Sequence, residues 1–349
     1  MRISRTPPNS AWPPADSPPW TSSVLEVSGG ALRWELLEPS APPRLLLWAP
    51  EEAGWLWRIV GETGHVEVAT TETAEVTITA PAELDLLRRL AWGHWLRRWW
   101  PASSIDAIDE LPSTVLDVEV ALLTVDAEGY FDDDGFDGDP HAVLAAHDEA
   151  TIDALATHAD PRVRELRQRW FELRASEATD DLGVPSGSVD DYALAAGAAA
   201  SGDTTSGIAH GRGSLPWEAA PAHVFDAAED TVRWTIDAAP NAVAEIEVAL
   251  LPGRTATPLR VGLSLPDPPL SVHAELTPDG RAQIPLPLTA AQAWAADWSS
   301  LTCTVGGVDG RTARGLREQV RGIVRQRISG ADGGIPLFVA EQLLADADY

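Results

Sequence analysis

Chemistry in this chain would have to draw on one cysteine, eight histidines, 53 acidic residues and 25 basic ones. The densest acidic run, VDAEGYFDDDGFDGDPHAVLAAHDE, carries Asp126, Glu128, Asp132, Asp133, Asp134, Asp137 and Asp139. Carboxylates at that density attract calcium, a hard cation that takes oxygen ligands. The EF-hand spacing fails, however. Gly135 as the loop glycine puts Tyr130 at the first ligand position, and Gly138 leaves Leu144 where a bidentate glutamate belongs. The stretch reads as a solvated acidic loop. His141, His147 and His158 follow it without the H-x-x-x-H or H-E-x-x-H spacing that aims two imidazoles at one zinc ion. His65, His94, His210, His223 and His273 are scattered singly, and His273 reads as a sheet residue.

Nucleophilic chemistry finds no better footing. GVPSGS breaks the G-x-S-x-G pattern because Ser186 follows Gly183 by three. GIAHGRGS, around His210, reads as a glycine loop with no strand feeding it and no helix receiving it. Phosphate-binding and dinucleotide fingerprints are missing, as is the strand–helix alternation they require. Cys303 in SLTCTVG reads as a buried inert thiol, and a single cysteine excludes an intrachain disulfide and a cysteine-built zinc site. The expectation is no catalytic residue, no cofactor and no metal.

Tryptophan and arginine are the remaining candidates. AWGHWLRRWW, residues 91–100, puts four tryptophans and two arginines in ten positions before Pro101. On a helical wheel Leu84, Leu87, Ala91, Trp95 and Trp99 share one face, and further apolar residues occupy the others. A helix apolar nearly all round belongs in a core or at a domain interface. Its arginines can reach the surface and pair with acids. Tryptophan and arginine also dominate protein-interface hot spots. The expected partner patch is therefore Trp12 and Trp20 of the proline-rich start with Arg97, Arg98, Trp99 and Trp100 of the helix end. A stripe of Arg314, Arg317, Arg321 and Arg325 could track phosphates, but so many acids favour intramolecular pairing.

Elements that would position these residues follow from period and punctuation. Residues 1–22 hold six prolines and read as a loose arm. Residues 23–80 alternate with period two, as VLEV, ALRWELL, RLLLWA, WLWRIV, HVEVA and AEVTITA, with GETG closing a hairpin; they predict a small antiparallel β domain. Residues 81–179 predict a mainly helical segment packed on it, with Thr79 as a first N-cap and Pro101 as a stop. STVLDVEVALLTV within that segment is ambiguous between strand and helix. Residues 180–216, rich in glycine, serine and alanine, read as a flexible linker with a short helix near Tyr192. Residues 217–308 show about seven short strands, predicting a β-sandwich-like domain, and 309–349 predict a C-terminal helical hairpin. The fold class is α+β and multi-domain.

Composition narrows the function classes. The net charge of −28 repels nucleic acid and anionic lipid and favours basic partners. Every basic residue is arginine, a pattern that fits codon bias in a GC-rich bacterial genome. The start lacks an apolar signal core, and no run is long enough to span a membrane, so a cytoplasmic location is expected. Together these features predict a non-enzymatic adaptor or assembly protein, with a protein partner or a second copy held through the arginine–tryptophan patch. The alternatives are a hydrolase or metal-dependent enzyme assembled only in three dimensions, and a membrane-surface or nucleic-acid binder using its tryptophan–arginine helices.

Overall fold

The computed structural model describes residues 2–5, 17–70, 73–75, 81–129, 131, 136, 138–180, 207–310, 313–330 and 334–347. Five strands form the first sheet: β1 (Arg2–Arg5), β2 (Ser22–Val27), β3 (Gly30–Glu35), β4 (Arg44–Leu47) and β5 (Thr73–Glu75), in the order β2-β3-β4-β1-β5. The β2–β3 hairpin turns at Gly29, whose φ of +72° suits glycine, and a Cβ there would sit 2.1 Å from the Ala49 carbonyl oxygen. Arg2–Arg5, expected as part of a loose arm, is instead a strand. The chain's prolines begin only at Pro7, so Arg2–Arg5 can pair parallel to β4 and antiparallel to β5. Residues 6–16, including Trp12, lie outside the described residues, as does Thr79.

WLWRIV and HVEVA, expected as strands, are instead helical: Trp55 and Leu56 belong to a 3-10 turn and the rest to helix α1 (Trp57–Thr70). Gly64 and Val68 are buried four residues apart, a helical interval, whereas Val66, which completes the period-two pattern, is 57% exposed. GETG does not close a hairpin. Its first glycine, Gly61, has φ 72° and interrupts α1.

The next helices are α2 (Pro81–Trp99), α3 (Ser113–Glu128), α4 (Pro140–Leu144), α5 (Glu149–Ala154) and α6 (Pro161–Asp180). On α2, Leu87, Leu90, Ala91, Trp92, Trp95 and Leu96 are all buried, as its all-round apolar character requires. The ambiguous STVLDVEVALLTV is helical as α3, with Val115, Leu116, Val118, Val120, Ala121 and Leu122 buried around its circumference. Gly93 lets α2 approach closely, since a Cβ there would lie 2.7 Å from Val120 and 3.0 Å from the Phe338 ring.

The chain divides into two compact units. One comprises residues 1–99, 111–185 and 319–349, and the other residues 100–110 and 186–318. In the second unit β6 (Ala209–Gly213), β7 (Val232–Asp237), β8 (Val243–Val248) and β11 (Arg281–Pro285) form one sheet in the order β11-β8-β7-β6. Strands β9 (Arg260–Leu265), β10 (Leu270–Glu275), β12 (Thr302–Val305) and β13 (Val308–Asp309) form another, ordered β10-β9-β12-β13. Alternate residues of both sheets, among them Val232, Trp234, Ile236, Ile246, Val248, Val261, Leu263 and Ile284, share one apolar core, which makes this unit sandwich-like. His210 is on β6 and not in a glycine loop, because β7 supplies an antiparallel partner register across the glycines. HVFDA contributes only a Phe225–Leu250 bridge. Residues 181–206 of the expected linker, with Tyr192, lie outside the described residues.

Between β11 and β12 lies a short helix, α7 (Ala290–Ala295), closed by a capping box of Thr289 and Gln292. Two helices end the chain, α8 (Arg314–Ile328) and α9 (Val339–Ala347).

Candidate functional site

The residues expected to form a partner patch are divided between core and surface. Trp20 is fully buried, and its carbonyl accepts the Trp95 indole N–H at 2.9 Å. Trp100 is 4% exposed and donates its Nε1 hydrogen to the Asp109 carbonyl at 2.8 Å. Arg97 is half-buried, with Nε donating to Asp117 and a terminal nitrogen donating to the Val143 carbonyl. Arg98 and Trp99 are also partly exposed, the guanidinium lying 4.0 Å over the indole centroid. Burial pushes the Arg98 pKa down from its ordinary value.

Arg97 leads to the one place where the described structure lines up a hydroxyl, an imidazole and a carboxylate. Its Nε donates to Asp117 Oδ1 at 2.7 Å, while His147 Nε2 lies 2.9 Å from Asp117 Oδ2. His147 Nδ1 is 3.3 Å from Thr114 Oγ1. With the imidazole proton on Nε2, Nδ1 can accept the threonine hydroxyl. That order of groups resembles a charge relay. Here, however, Arg97 already compensates the carboxylate, so charge developing on His147 would meet a nearby cation. The arrangement is better suited to pinning the loop after α4 onto α3 and α2. His94 belongs to the same neighbourhood, and burial, reinforced by Arg97 and opposed by Asp117, lowers its pKa to about 4. It is neutral at pH 7.

The acidic stretch also does structural work where it is described. Asp139 caps α4, accepting the His141 and Ala142 amides at 2.8 and 3.0 Å. Asp132, Asp133, Asp134 and Asp137 lie outside the described residues. Among the described residues no group of three or more histidine, cysteine, aspartate or glutamate side chains could hold a metal ion. The arginine stripe engages intramolecular acids: Arg317 grips Glu229 with two donors at 2.8 Å, and Arg314 reaches Asp230 at 3.2 Å.

Sequence reasoning missed the two most exposed tryptophans among the described residues. Trp57, at the start of α1, is 53% exposed, and Trp294, on α7, is 70% exposed. Exposed carboxylates, Glu51, Glu52, Glu62 and Glu67, lie close to Trp57 in sequence. Helical phase would not have marked Trp57, which precedes Val60, Gly64 and Val68 by three, seven and eleven residues, the same face of an unbroken helix; Gly61, with φ 72°, interrupts that phase. For Trp294 the signal was Thr289 three residues before Gln292, a capping box opening a helix too short to bury both faces.

No protein-family model, curated protein or solved structure matches this chain. No helix among the described residues is long and apolar enough to cross a membrane.

Proposed function

We propose that this chain is a non-enzymatic interaction or assembly protein whose anchor points are exposed tryptophans on an acidic surface. The observation that carries the reading is the pair Trp57 and Trp294, 53% and 70% exposed, one in each unit. Indole burial against a partner returns more free energy than burial of almost any other side chain, which is why tryptophan dominates interface hot spots. Scattered exposed leucines would need no explanation, but two open tryptophans invite one. The partner chemistry follows from the −28 charge: a basic protein surface is steered inward at low salt and then fixed by desolvating an indole. Arg98 and Trp99 remain as a third contact of the same type.

Affinity capture from the native cell with three baits tests this reading: wild type, Trp57→Ser and Trp294→Ser. A partner with a basic face should be retained by wild type at low salt and fall at least tenfold with one of the two variants, although both variants melt like wild type. Identical profiles from all three baits would overturn it.

A further inference from the structure

The first unit contains a cavity of about 410 Å³, within the range of sites that hold small organic molecules. Its floor is buried and partly aromatic, with Trp34 and Trp92 each 4% exposed and Leu36 and Ile335 alongside. Its rim is exposed at Pro39, Ser40, Gln326 and Gly334, so the space opens to solvent.

Charge in the wall is unevenly compensated. Arg327 lies 4.8 Å from the Trp92 ring centroid, but both of its fork nitrogens donate to Glu341 at 2.7 Å. Glu35 is paired with Arg33 at 3.1 Å. Arg88 differs. Its terminal nitrogen donates to the Pro39 carbonyl at 2.7 Å, and no carboxylate lies within ion-pair distance among the described residues. Its nearest carboxylate influence is Asp85, exposed one turn earlier on α2. The Arg88 Nε hydrogen and the Trp92 indole hydrogen are buried without an acceptor among the described residues. Burial pushes the Arg88 pKa down, Asp85 opposes that, and the neighbouring Arg327 adds to it. A half-buried cation whose pKa is driven down by burial is stabilised by an incoming anion. In a protein of charge −28, a cavity wall with one surplus cation is an exception in sign.

We propose that this cavity is a binding site for a small amphiphilic organic anion. The apolar body lies among Trp34, Trp92 and Ile323, and the anionic group meets the Arg88 guanidinium. The site is independent of the exposed tryptophans, so neither reading depends on the other.

Fluorescence titration with 8-anilinonaphthalene-1-sulfonate, an aromatic anion of suitable size, provides the test. Its neutral relative N-phenyl-1-naphthylamine serves as the second probe. The full-length protein should bind the sulfonate saturably at one site and at least tenfold more tightly than the neutral probe. Arg88→Gln should weaken the sulfonate at least tenfold and leave the neutral probe within threefold. Arg88→Lys should restore most of the sulfonate affinity. Circular dichroism and thermal melting check that each variant is folded. If Arg88→Gln does not fold, the two-probe comparison on wild type decides alone. Non-saturable binding, tighter binding of the neutral probe, or equal sulfonate affinity in wild type and Arg88→Gln would overturn the assignment.

Discussion

The two units bury different chemistry. In the second, the sheets enclose an apolar core from alternating strand positions. Asp226 accepts from Ser103 Oγ at 2.6 Å and from the Ser104 amide and hydroxyl, both at 2.9 Å, thereby fixing the 103–106 loop. In the first, ion pairs are packed among tryptophans inside the helical layer. Glu341 is fully buried, holds Arg327 in a two-pronged pair and accepts the Phe338 amide at 2.9 Å, which also caps α9. Glu119 accepts from Arg89 at 2.6 Å and from the Val339 amide at 2.7 Å, and burial pushes its pKa up against those contacts. Strands with one apolar face can seal a core without polar residues. Helices that bury arginine as deeply as Arg327 cannot, and bring an acid in with it.

The largest test of that difference is Glu341→Ala, which strands Arg327 as an uncompensated buried charge. A loss of about 3–5 kcal/mol in urea unfolding is expected. The double replacement Arg327→Met with Glu341→Leu should cost much less, because a buried pair is worth far less than a broken one. In the sandwich, Leu263→Ala should cost about 3 kcal/mol by cavity formation, with no salt dependence.

The third test is a pH series. His94 binds its proton less readily folded, near pH 4, than unfolded, near 6.5. Above pH 6.5 it is neutral in both states and contributes no pH dependence. As pH falls from about 6.5 to 4 the unfolded chain takes up a proton that the folded chain refuses, so stability drops, by about 3 kcal/mol in all. His94→Gln should flatten that window in denaturation curves, whereas an unchanged slope would place the effect elsewhere.

The same contrast explains what could be read from sequence. Strands β7 to β12 were legible because one face alternates against a single core, as Val232, Trp234 and Ile236 do. The buried character of AWGHWLRRWW was legible for the converse reason, since no polar face exists to expose. Helix α1 was not, because Val66 and Val68 imitate alternation and only burial shows that Gly64 and Val68 carry the phase after Gly61. Of the expected patch, Trp20 and Trp100 are interior residues, and spacing alone could not separate them from Trp99. The Arg97–Asp117–His147 contact and the Arg88 cavity join residues 20 to more than 200 positions apart, a distance that no local pattern encodes.

The smallest stability effects are expected at the tryptophans proposed as anchors. Trp57→Ser and Trp294→Ser should each shift unfolding by less than about 0.5 kcal/mol, since neither side chain is in a core. Their effect belongs to binding. The most direct measurement is hydrogen–deuterium exchange on the chain alone and on its purified complex with the captured partner. The proposed function predicts slowed exchange over residues 51–67, over residues 289–300, or over both, with the effect on each segment abolished by serine at its tryptophan. Protection confined to other segments, or surviving both substitutions, would contradict it.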